Sequence, residues 1–309
     1  MRLSYSAINT YQTCPLMFKF QYLDRLPTKP SEKMWFGNHL HETLKFILED
    51  VYHLPTQAET IKLYSENFDK SIFAENEVAQ NYFANGLKIV ENFYSRIKKA
   101  MPAVVSIEEK FVLPMGEHNI SGVFDRVDKI TDNHFEIIDY KTGRVPTQDK
   151  VDDNLQLTMY DWAAKQKWPH LTDVKLSLHF LAPDLKLSTK RQKEDHQQLE
   201  ETVNKTAEQI SLEKFAPKPG PLCGWCDFQQ FCPIMKDRFR QQKRSIDEIV
   251  LKYLELKSKE SELQDKAENL TPHLHRYMDE KKVEKLFSDL GDVYRTKTGK
   301  ISHQIKKKK

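Results

Sequence analysis

A change in sequence periodicity after Pro102 constrains the fold of this chain more than any other feature. Apolar residues before it recur at helical spacing, whereas in the segments after it they alternate with polar residues. The alternating segments are 105–113, 120–130 and 134–140. Alternation is typical of β-strands, and the short turns between these segments predict an antiparallel meander. A predicted helix at 153–166 and a further predicted strand at 174–182 follow. These patterns predict the α/β (α+β) class, with a central mixed sheet flanked by helices.

The remaining patterns divide the chain into two regions. Further helices are predicted at 4–23 (broken at Cys14-Pro15), 36–52 and 196–213. Residues 244–285 are charged and helical, with leucines at roughly heptad intervals, and a short hairpin at 292–305 and a KKKK tail follow. We therefore predict one domain over residues 1–235 and a helical extension over residues 240–309.

Composition excludes several classes of protein. The 309 residues are 39% hydrophobic and 30% charged, as in ordinary folded proteins, and the net charge of +3 is too small to indicate nucleic-acid binding by itself. The N-terminal stretch has no pattern of a secretory signal, and no apolar run is long enough for a membrane helix. We predict a cytoplasmic protein with no membrane partner. Its one Gly-Lys pair, at 299–300, lacks the spacing of a Walker A loop, which argues against a self-contained ATPase.

Charged side chains converge where the predicted strands end. In EIIDYKTG, Asp139 and Lys141 lie two positions apart and therefore share one face of a strand. A solvated ion pair would explain this pair taken alone. Asp125 lies on the preceding predicted strand, and antiparallel pairing would bring it close to Asp139. Two such carboxylates repel each other unless a cation lies between them, and oxygen ligands suit Mg²⁺ or Mn²⁺. His41, on a predicted helix, could reach the same cation.

The order of these motifs resembles the PD-(D/E)XK nucleases, in particular the RecB type and the CRISPR-associated exonucleases. Each motif alone is unspecific, but the whole series in this order is specific. The matching residues are Gly37 and His41, then Gly122, Asp125, Arg126 and Asp128, then Asp139 to Gly143, and finally Gln156 and Tyr160. The resemblance covers most of residues 1–235 and implies a restriction-endonuclease-like core.

The resemblance also implies roles for the candidate active-site residues. Asp125 and Asp139 would hold the divalent metal, and the Tyr140 carbonyl and His41 would complete its protein ligands. Lys141 would position or deprotonate the attacking water.

Residues of the following helix are assigned to the cleft by the same resemblance. Gln156 and Tyr160 would line it and contact the nucleic-acid strand. Tyr140, Tyr160 and Trp162 could stack on bases, although core packing is the plainer interpretation of each.

The implied function is that of a metal-dependent DNA nuclease. We expect a single-strand or end-directed exonuclease that hydrolyses phosphodiester bonds in DNA repair, recombination or CRISPR-type DNA processing. The alternative is a non-catalytic DNA-binding or scaffold subunit of a helicase–nuclease complex. The presence of Asp125, Asp139 and Lys141 argues against that alternative. A helicase or another protein could dock on the C-terminal helices, for which a solvated helical hairpin is the plainer account.

The four cysteines form a second pattern. Cys223, Cys226 and Cys232 are clustered, whereas Cys14 lies far upstream. In a cytosolic protein such a set favours a metal site over disulfides, and either zinc or an iron–sulfur cluster could occupy it. The Y-x-x-C-P opening with the distant C-x2-C-x5-C-P resembles the iron–sulfur staple of CRISPR-associated exonucleases and AddB-type nucleases. That resemblance implies a [4Fe–4S] cluster, with zinc or unrelated buried cysteines as the alternatives.

Overall fold

The computed structural model describes residues 1–29, 31–50 and 53–306. The chain divides into two units, Met1–Ile234 and Met235–Lys309. The end of the predicted KKKK tail, residues 307–309, lies outside the described residues.

The first unit begins with a short strand and a broken helix. Its elements are β1 (Arg2–Ser4), α1 (Tyr5–Thr13), α2 (Pro15–Phe18) and a π-helical turn (Lys19–Leu23). Ser4 caps α1, since its side-chain oxygen accepts a hydrogen bond from the Ala7 N–H at 3.2 Å. Cys14 is extended between α1 and α2, and Pro15 occupies the first turn of α2. The predicted break at Cys14-Pro15 is confirmed, whereas β1 was not predicted.

A helical layer follows. It contains α3 (Glu32–Leu48), α4 (Gln57–Glu66), a 3-10 turn (Lys70–Ile72) and α5 (Asn76–Lys99). Ser31 caps α3, so this helix begins before the predicted residue 36. It ends at Leu48, whereas the helix was predicted to continue to residue 52, and residues 51–52 lie outside the described residues. Thr56 and Glu59 form a capping box at the start of α4.

The strands and the helices between them complete the unit. They are β2 (Val104–Met115), β3 (His118–Thr131), β4 (His134–Lys141), α6 (Gln148–Asp152), α7 (Leu155–Lys167), β5 (Asp173–Phe180), β6 (Leu185–Thr189), α8 (Lys193–Ser211) and a 3-10 turn (Pro221–Trp225). The predicted strands and helices in this stretch are present, whereas β6 was not predicted.

These strands form one mixed sheet. β2, β3 and β4 pair antiparallel, which confirms the predicted meander. β4 and β5 pair in parallel through the crossover that contains α6 and α7, and β6 pairs antiparallel with β5. β1 lies parallel to the first part of β3, with Arg2 opposite Asn119. The predicted α/β class with a mixed sheet is confirmed.

Helices bury both faces of the sheet. On one face, residues of α1, α7 and α8 pack against Ile137, Leu176 and their neighbours. On the other face, residues of α3, α4 and α5 pack against Ile138 and Tyr140. β4 therefore carries six consecutive buried residues, the pattern expected of a central strand. The strand end that carries Asp139 and Lys141 is held from both sides.

The second unit contains one long helix and a small sheet. Its elements are α9 (Lys236–Lys281), β7 (Lys285–Phe287), β8 (Gly291–Arg295) and β9 (Ile301–Ile305). The three strands form an antiparallel sheet in the order β7-β8-β9, so the predicted hairpin gains a strand at its start. Among residues 1–29, 31–50 and 53–306, no helix combines the length and the apolar character that crossing a membrane requires.

Candidate active site

The pairing of β3 with β4 brings the two predicted aspartates together. Arg126 lies opposite Ile138, so continuing the register by one residue places Asp125 opposite Asp139. The Asp125 Oδ2 accepts a hydrogen bond from the Tyr140 N–H at 2.8 Å. Both aspartates are buried, with only 9% of Asp125 and 2% of Asp139 exposed. The predicted convergence of the two carboxylates is present in the structure.

The surroundings of Asp125 oppose its ionisation. Burial, followed by the charge of Asp139, raises the pKa of Asp125 to about 8. The Tyr140 N–H favours the ionised form but does not offset these effects. A cation between the carboxylates would remove the penalty, because it favours the ionised form of both.

Lys141 lies beside this pair as predicted. Its Nζ is 2.6 Å from the Asp139 Oδ2 and donates a hydrogen bond to the Gln156 Oε1 at 3.1 Å. Burial lowers the pKa of Lys141, but the charge of Asp139 and the hydrogen bond that Lys141 donates to it outweigh burial and raise the pKa. The lysine is therefore a fixed positive charge at the strand end, with 35% of its side chain exposed.

Gln156 and Tyr160 lie on one face of α7 and point at the strand end. The Gln156 Nε2 donates to the Asp139 Oδ1 and to the Tyr160 hydroxyl, both at 2.9 Å. The Tyr160 hydroxyl donates to the Val123 carbonyl at 2.7 Å, and only 4% of this residue is exposed. Gln156 thus touches both members of the Asp139–Lys141 pair. Tyr160 has partners inside the protein, an arrangement that differs from the strand contact implied by the family resemblance.

His41 reaches the same place from α3. Its Nδ1 lies 3.7 Å from the Asp125 Oδ2, and its Nε2 lies 3.3 Å from the Tyr140 carbonyl oxygen. Burial lowers the pKa of His41, which favours the neutral imidazole that binds metals. The structure brings His41, Asp125 and the Tyr140 carbonyl together, as the sequence predicted.

Glu108 is a further site residue that the sequence analysis missed. The ligand atoms of His41, Glu108 and Asp125 all lie within 4.8 Å of one another. Asp139 does not belong to this group, because its oxygens face Lys141 and Gln156.

The backbone of β2 explains how Glu108 comes to face the site. Ile107 pairs with Arg126 and Glu109 pairs with Phe124, so Glu108 lies opposite Asp125. Glu108 has a φ of +50°, a left-handed conformation that is uncommon for a residue with a side chain. The neighbouring Glu109 instead forms an ion pair with Lys167 of α7. The signal in the sequence was the Glu-Glu pair itself, but alternation alone could not say which member faces Asp125.

A buried layer supports the site from behind. The Arg126 Nε donates to the Asp128 Oδ1 at 2.7 Å, a second guanidinium nitrogen contacts Oδ2, and Nη1 lies 3.4 Å from the Tyr140 hydroxyl. Gly122 is needed for packing, because a Cβ there would lie 2.5 Å from the Phe111 ring. These residues of the G-x-x-D-R-x-D motif hold the strands in place.

Tyr140 belongs to the core as well. Only 5% of it is exposed, and its ring packs against Phe93 and His179. Core packing, the plainer interpretation of Tyr140 and Tyr160, therefore agrees with their burial.

The four cysteines lie together elsewhere in the first unit. All four are half-buried free thiols, and the nearby Cys14, Cys223 and Cys232 contribute, after burial, to raising the pKa of Cys226. The Lys218 N–H donates to the Cys14 Sγ at 3.5 Å, and the Gly220 N–H donates to the Cys223 Sγ at 3.3 Å. Cysteine sulfurs that accept hydrogen bonds from backbone N–H groups suit a thiophilic metal centre.

Comparison with known proteins gives the family. The sequence pattern of the PD-(D/E)XK nuclease superfamily matches residues 2–233. The chain belongs to this superfamily, whose members are nucleases that typically use divalent metals. Family membership and the acidic metal site together support a hydrolase that acts on phosphodiester bonds.

Individual relatives are distant. The chain is 22% identical over 267 residues to the gene 69 protein of Mycobacterium phage D29, covering 75% of this chain and 97% of that protein. It is 23% identical over 160 residues to an ATP-dependent helicase/deoxyribonuclease subunit of Streptococcus uberis, covering 47% of this chain but 14% of that protein.

Two solved structures are also similar. One is a candidate exonuclease from Eubacterium rectale, with a TM-score of 0.46 and 11% identity, covering 73% of this chain and 86% of that one. The other is SSO0001, with a TM-score of 0.34 and 16% identity, covering 65% of this chain and 97% of that one.

Proposed function

We propose that this protein is a metal-dependent deoxyribonuclease that acts on single-stranded DNA or from DNA ends. The observation that carries the proposal is the convergence of His41, Glu108, Asp125 and the Tyr140 carbonyl beside the Asp139–Lys141 pair. Such a constellation combines a ligand set for a hard divalent cation with a fixed ammonium group. A purely structural ion pair would not need a histidine, a strained glutamate and a second buried carboxylate next to it.

The ligand chemistry fits Mg²⁺ or Mn²⁺. His41, Glu108, Asp125 and the Tyr140 carbonyl would hold the ion, and Asp139 would join them by exchanging a contact with Lys141 or Gln156 for the ion. When bound, the ion lowers the pKa of a water molecule and stabilises charge on the phosphate oxygens.

Lys141 supplies the chemistry that the chain itself contributes. Its ammonium group is anchored by the Asp139 Oδ2 at 2.6 Å and by the Gln156 Oε1 at 3.1 Å. Because it is held by both partners, it can orient the attacking water and stabilise the negative charge that develops on the phosphate. Deprotonation of that water by Lys141 is the less suitable role, because the neighbouring carboxylate raises the pKa of the lysine.

Gln156 and Tyr160 position these groups. The Gln156 amide accepts from Lys141 and donates to Asp139, so the orientation of one side chain fixes the distance between acid and ammonium. The Tyr160 hydroxyl in turn holds Gln156 and is anchored on Val123. We assign both residues the role of positioning Asp139 and Lys141. Gln156 would lie nearer to the DNA strand, because it is only partly buried.

The substrate proposal rests on the family and on one relative. The Streptococcus uberis protein is named a helicase and deoxyribonuclease subunit, which supports DNA as the polymer cleaved here. An exonuclease that works in DNA repair, recombination or CRISPR-type processing is the form of this activity that we propose. A non-catalytic DNA-binding or scaffold subunit is the alternative, and the network around Lys141 argues against it.

We also propose that Cys14, Cys223, Cys226 and Cys232 hold a [4Fe–4S] cluster. Its support is that Cys14, Cys223 and Cys232, drawn from both ends of the first unit, lie near enough to Cys226 to raise the pKa of its thiol. Aromatic contacts of Phe20 with Phe228 and Phe231 join the same two segments. A cluster would add a covalent closure to this packing and would restrict the unfolded chain.

We place the nuclease and this site in residues 1–235 and treat residues 240–309 as an accessory region.

The test compares end-labelled linear and circular single-stranded DNA. Purified full-length protein is incubated with each substrate in Mg²⁺, in Mn²⁺ or in EDTA, with the Lys141→Ala variant as the control for contaminating nucleases. We expect metal-dependent release of short labelled products from linear DNA and an intact circle. Cleavage of the circle would overturn the end requirement, whereas equal cleavage by the Lys141→Ala variant, or none by the wild type, would overturn the catalytic assignment.

A further inference from the structure

The long helix α9 carries an apolar seam that its own unit leaves uncovered. Between residues 246 and 270, apolar side chains repeat with alternating steps of three and four. The seam consists of Ile246, Ile249, Tyr253, Leu256, Leu263, Ala267 and Leu270, and the one polar residue in the repeat is Glu260. A sustained repeat of this kind is the pattern by which helices associate side by side in coiled coils.

The seam is exposed in the structure. More than half of each of its large side chains is accessible, from 58% for Leu256 to 65% for Leu263. The neighbouring Val250, Leu251 and Leu254 are also exposed and widen the apolar surface at its N-terminal end. A continuous exposed stripe of this size on a soluble helix marks an interaction surface. Further along the helix the situation changes, because Met278 is 1% exposed and lies where α9 meets its own small sheet.

Lysines predominate among the residues that flank the seam between positions 252 and 266. Lys252, Lys259 and Lys266 follow one side of it, and Lys257 and Gln264 lie on the other. Two of the lysines form ion pairs within the helix, Lys257 with Glu260 and Lys266 with Glu262. Exposed ion pairs of this kind contribute little to stability, so an approaching partner can replace them. Flanking charges set the choice of partner in coiled coils.

A second copy of this helix is a poor match for this surface. In a parallel pair in register, Glu260 would face its own counterpart in the seam, and Lys252 would face Lys257 of the other copy. In an antiparallel pair centred near Lys259, the row of Lys252, Lys259 and Lys266 would face the same row. Like charges in these positions are destabilising. Both arrangements therefore bring like charges together. A partner helix with acidic flanking residues would instead attract the lysines.

We propose that residues 246–270 dock an amphipathic helix of another protein that has an apolar heptad seam and acidic flanks. A basic residue in that helix, placed opposite Glu260, would neutralise the polar position of the seam and fix the register. The apolar side chains supply the association energy, whereas the lysines and Glu260 supply the selectivity. This inference is independent of the nuclease activity, because none of the proposed active-site residues belongs to α9.

The experiment uses the full-length protein and two synthetic helical peptides of four heptads. Both peptides carry Ile and Leu in the seam and one Lys opposite Glu260, and they differ only in having Glu or Lys at all flanking positions. Fluorescence anisotropy measures their binding. We expect the Glu-flanked peptide to bind at least about tenfold more tightly than the Lys-flanked peptide. The difference should narrow in high salt, because salt screens the flanking charges.

Matched variants test whether the seam is the binding surface. The double variant Leu256→Asp/Leu263→Asp should abolish binding. The variant Ser258→Asp/Ser261→Asp adds the same charge outside the seam and should bind within a few-fold of wild type. Circular dichroism checks that α9 stays helical in both. Equal binding of the two peptides, or binding of neither, would overturn the proposal. A stable dimer of the protein that is dissociated by Leu256→Asp/Leu263→Asp would also overturn it, since the occupant would then be a second copy.

Discussion

The Nζ of Lys141 lies 2.6 Å from the Oδ2 of Asp139, so a buried acid and a half-exposed base meet at the end of β4. The carboxylates are proposed to bind metal and the lysine to stabilise charge, and substitutions can separate these two roles. Asp125→Ala removes a charged ligand, and both divalent-ion affinity and cleavage should be lost. Lys141→Ala removes a cation from beside the carboxylates, and metal binding should persist or tighten while the rate falls by about 10²–10³. Mn²⁺ titration and single-turnover cleavage measure the two effects.

A matched control uses an ion pair outside the site. Lys190 lies 2.6 Å from Asp173 at the surface, and Lys190→Ala should cleave like the wild type. DNA binding in Ca²⁺ should survive in Lys141→Ala. If Lys141→Ala cleaved DNA within a few-fold of the wild-type rate, the Asp139–Lys141 pair would have only a structural role.

The ionised Asp125 side chain should destabilise the metal-free protein at high pH. Its folded-state pKa of about 8 lies above the ordinary 3.8, so the folded protein binds this proton more tightly than the unfolded chain. The resulting stabilisation is complete below about pH 4 and is lost as the pH rises toward 8. Asp125→Asn stays neutral at every pH. In EDTA it should therefore melt at a higher temperature than wild type at pH 9, by about 2–4 °C for each kcal/mol recovered.

The comparison at low pH serves as the internal control for Asp125→Asn. Near pH 4 both proteins carry a neutral side chain, and their melting temperatures should nearly coincide. The same variant should lack cleavage in saturating Mn²⁺. A constant difference in melting temperature between the two proteins at all pH values would contradict the assignment of the raised pKa.

Glu108 should contribute to metal affinity, because its ligand oxygen lies within 4.8 Å of those of His41 and Asp125. Substituting residues that only support a metal site commonly costs 10- to 100-fold in affinity, so Glu108→Gln should weaken Mn²⁺ binding by at least about tenfold. Glu109→Gln is the matched control, since Glu109 pairs with Lys167 instead. Calorimetric titration compares the two variants. Equal affinities would remove Glu108 from the ligand set.

Cys14→Ser should affect the distant end of the first unit. If four cysteines hold one cluster, anaerobically purified wild-type protein contains iron and absorbs broadly near 400 nm, and the variant loses both the iron and several degrees of thermal stability. Iron and zinc analysis together with thermal melting measure this. Stoichiometric zinc without iron would establish the alternative metal. A variant with unchanged metal content and melting temperature would disprove the shared site.

Removing the residues beyond about 240 should leave the chemistry intact. Every proposed metal-binding and water-positioning residue precedes this point. We expect the shortened protein to cleave short single-stranded oligonucleotides within a few-fold of the full chain. A folded but inactive product would instead assign part of the substrate channel to the second unit.

Much of the site was predictable because its residues lie at fixed offsets on long, strongly patterned elements. Periodicity placed Asp139 and Lys141 on one face of a strand and Gln156 and Tyr160 on one face of a helix, and the resemblance to the PD-(D/E)XK nucleases supplied their roles. Burial depth was not predictable in this way. A helical face shows which way a side chain points but not what covers it. The sequence therefore did not show that the Tyr160 hydroxyl donates to the Val123 carbonyl inside the protein.

Irregular and very short elements escaped prediction. Glu108 has a φ of +50°, which interrupts the alternation of β2, so Ile107 and Phe111 pack on opposite faces of the sheet although they are four residues apart. Counting by twos along the strand therefore does not show which residue faces Asp125. β1 and β6 have only three and five residues, too few for alternation to show. Their pairing depends on strands that are distant in sequence or on a local turn, and neither leaves a periodic signal.

The parallel pairing of β1 with β3 has a consequence for biosynthesis. Arg2 must wait for Asn119, its partner in the sheet, to be translated. At roughly 5–20 residues per second, this delay is about 6–25 s, during which β1 emerges from the ribosome without its neighbour. A long apolar strand would be an aggregation hazard over such a period, whereas three residues that begin with an arginine offer little to pair with. The brevity of β1 thus suits a strand that is made well before its partner β3.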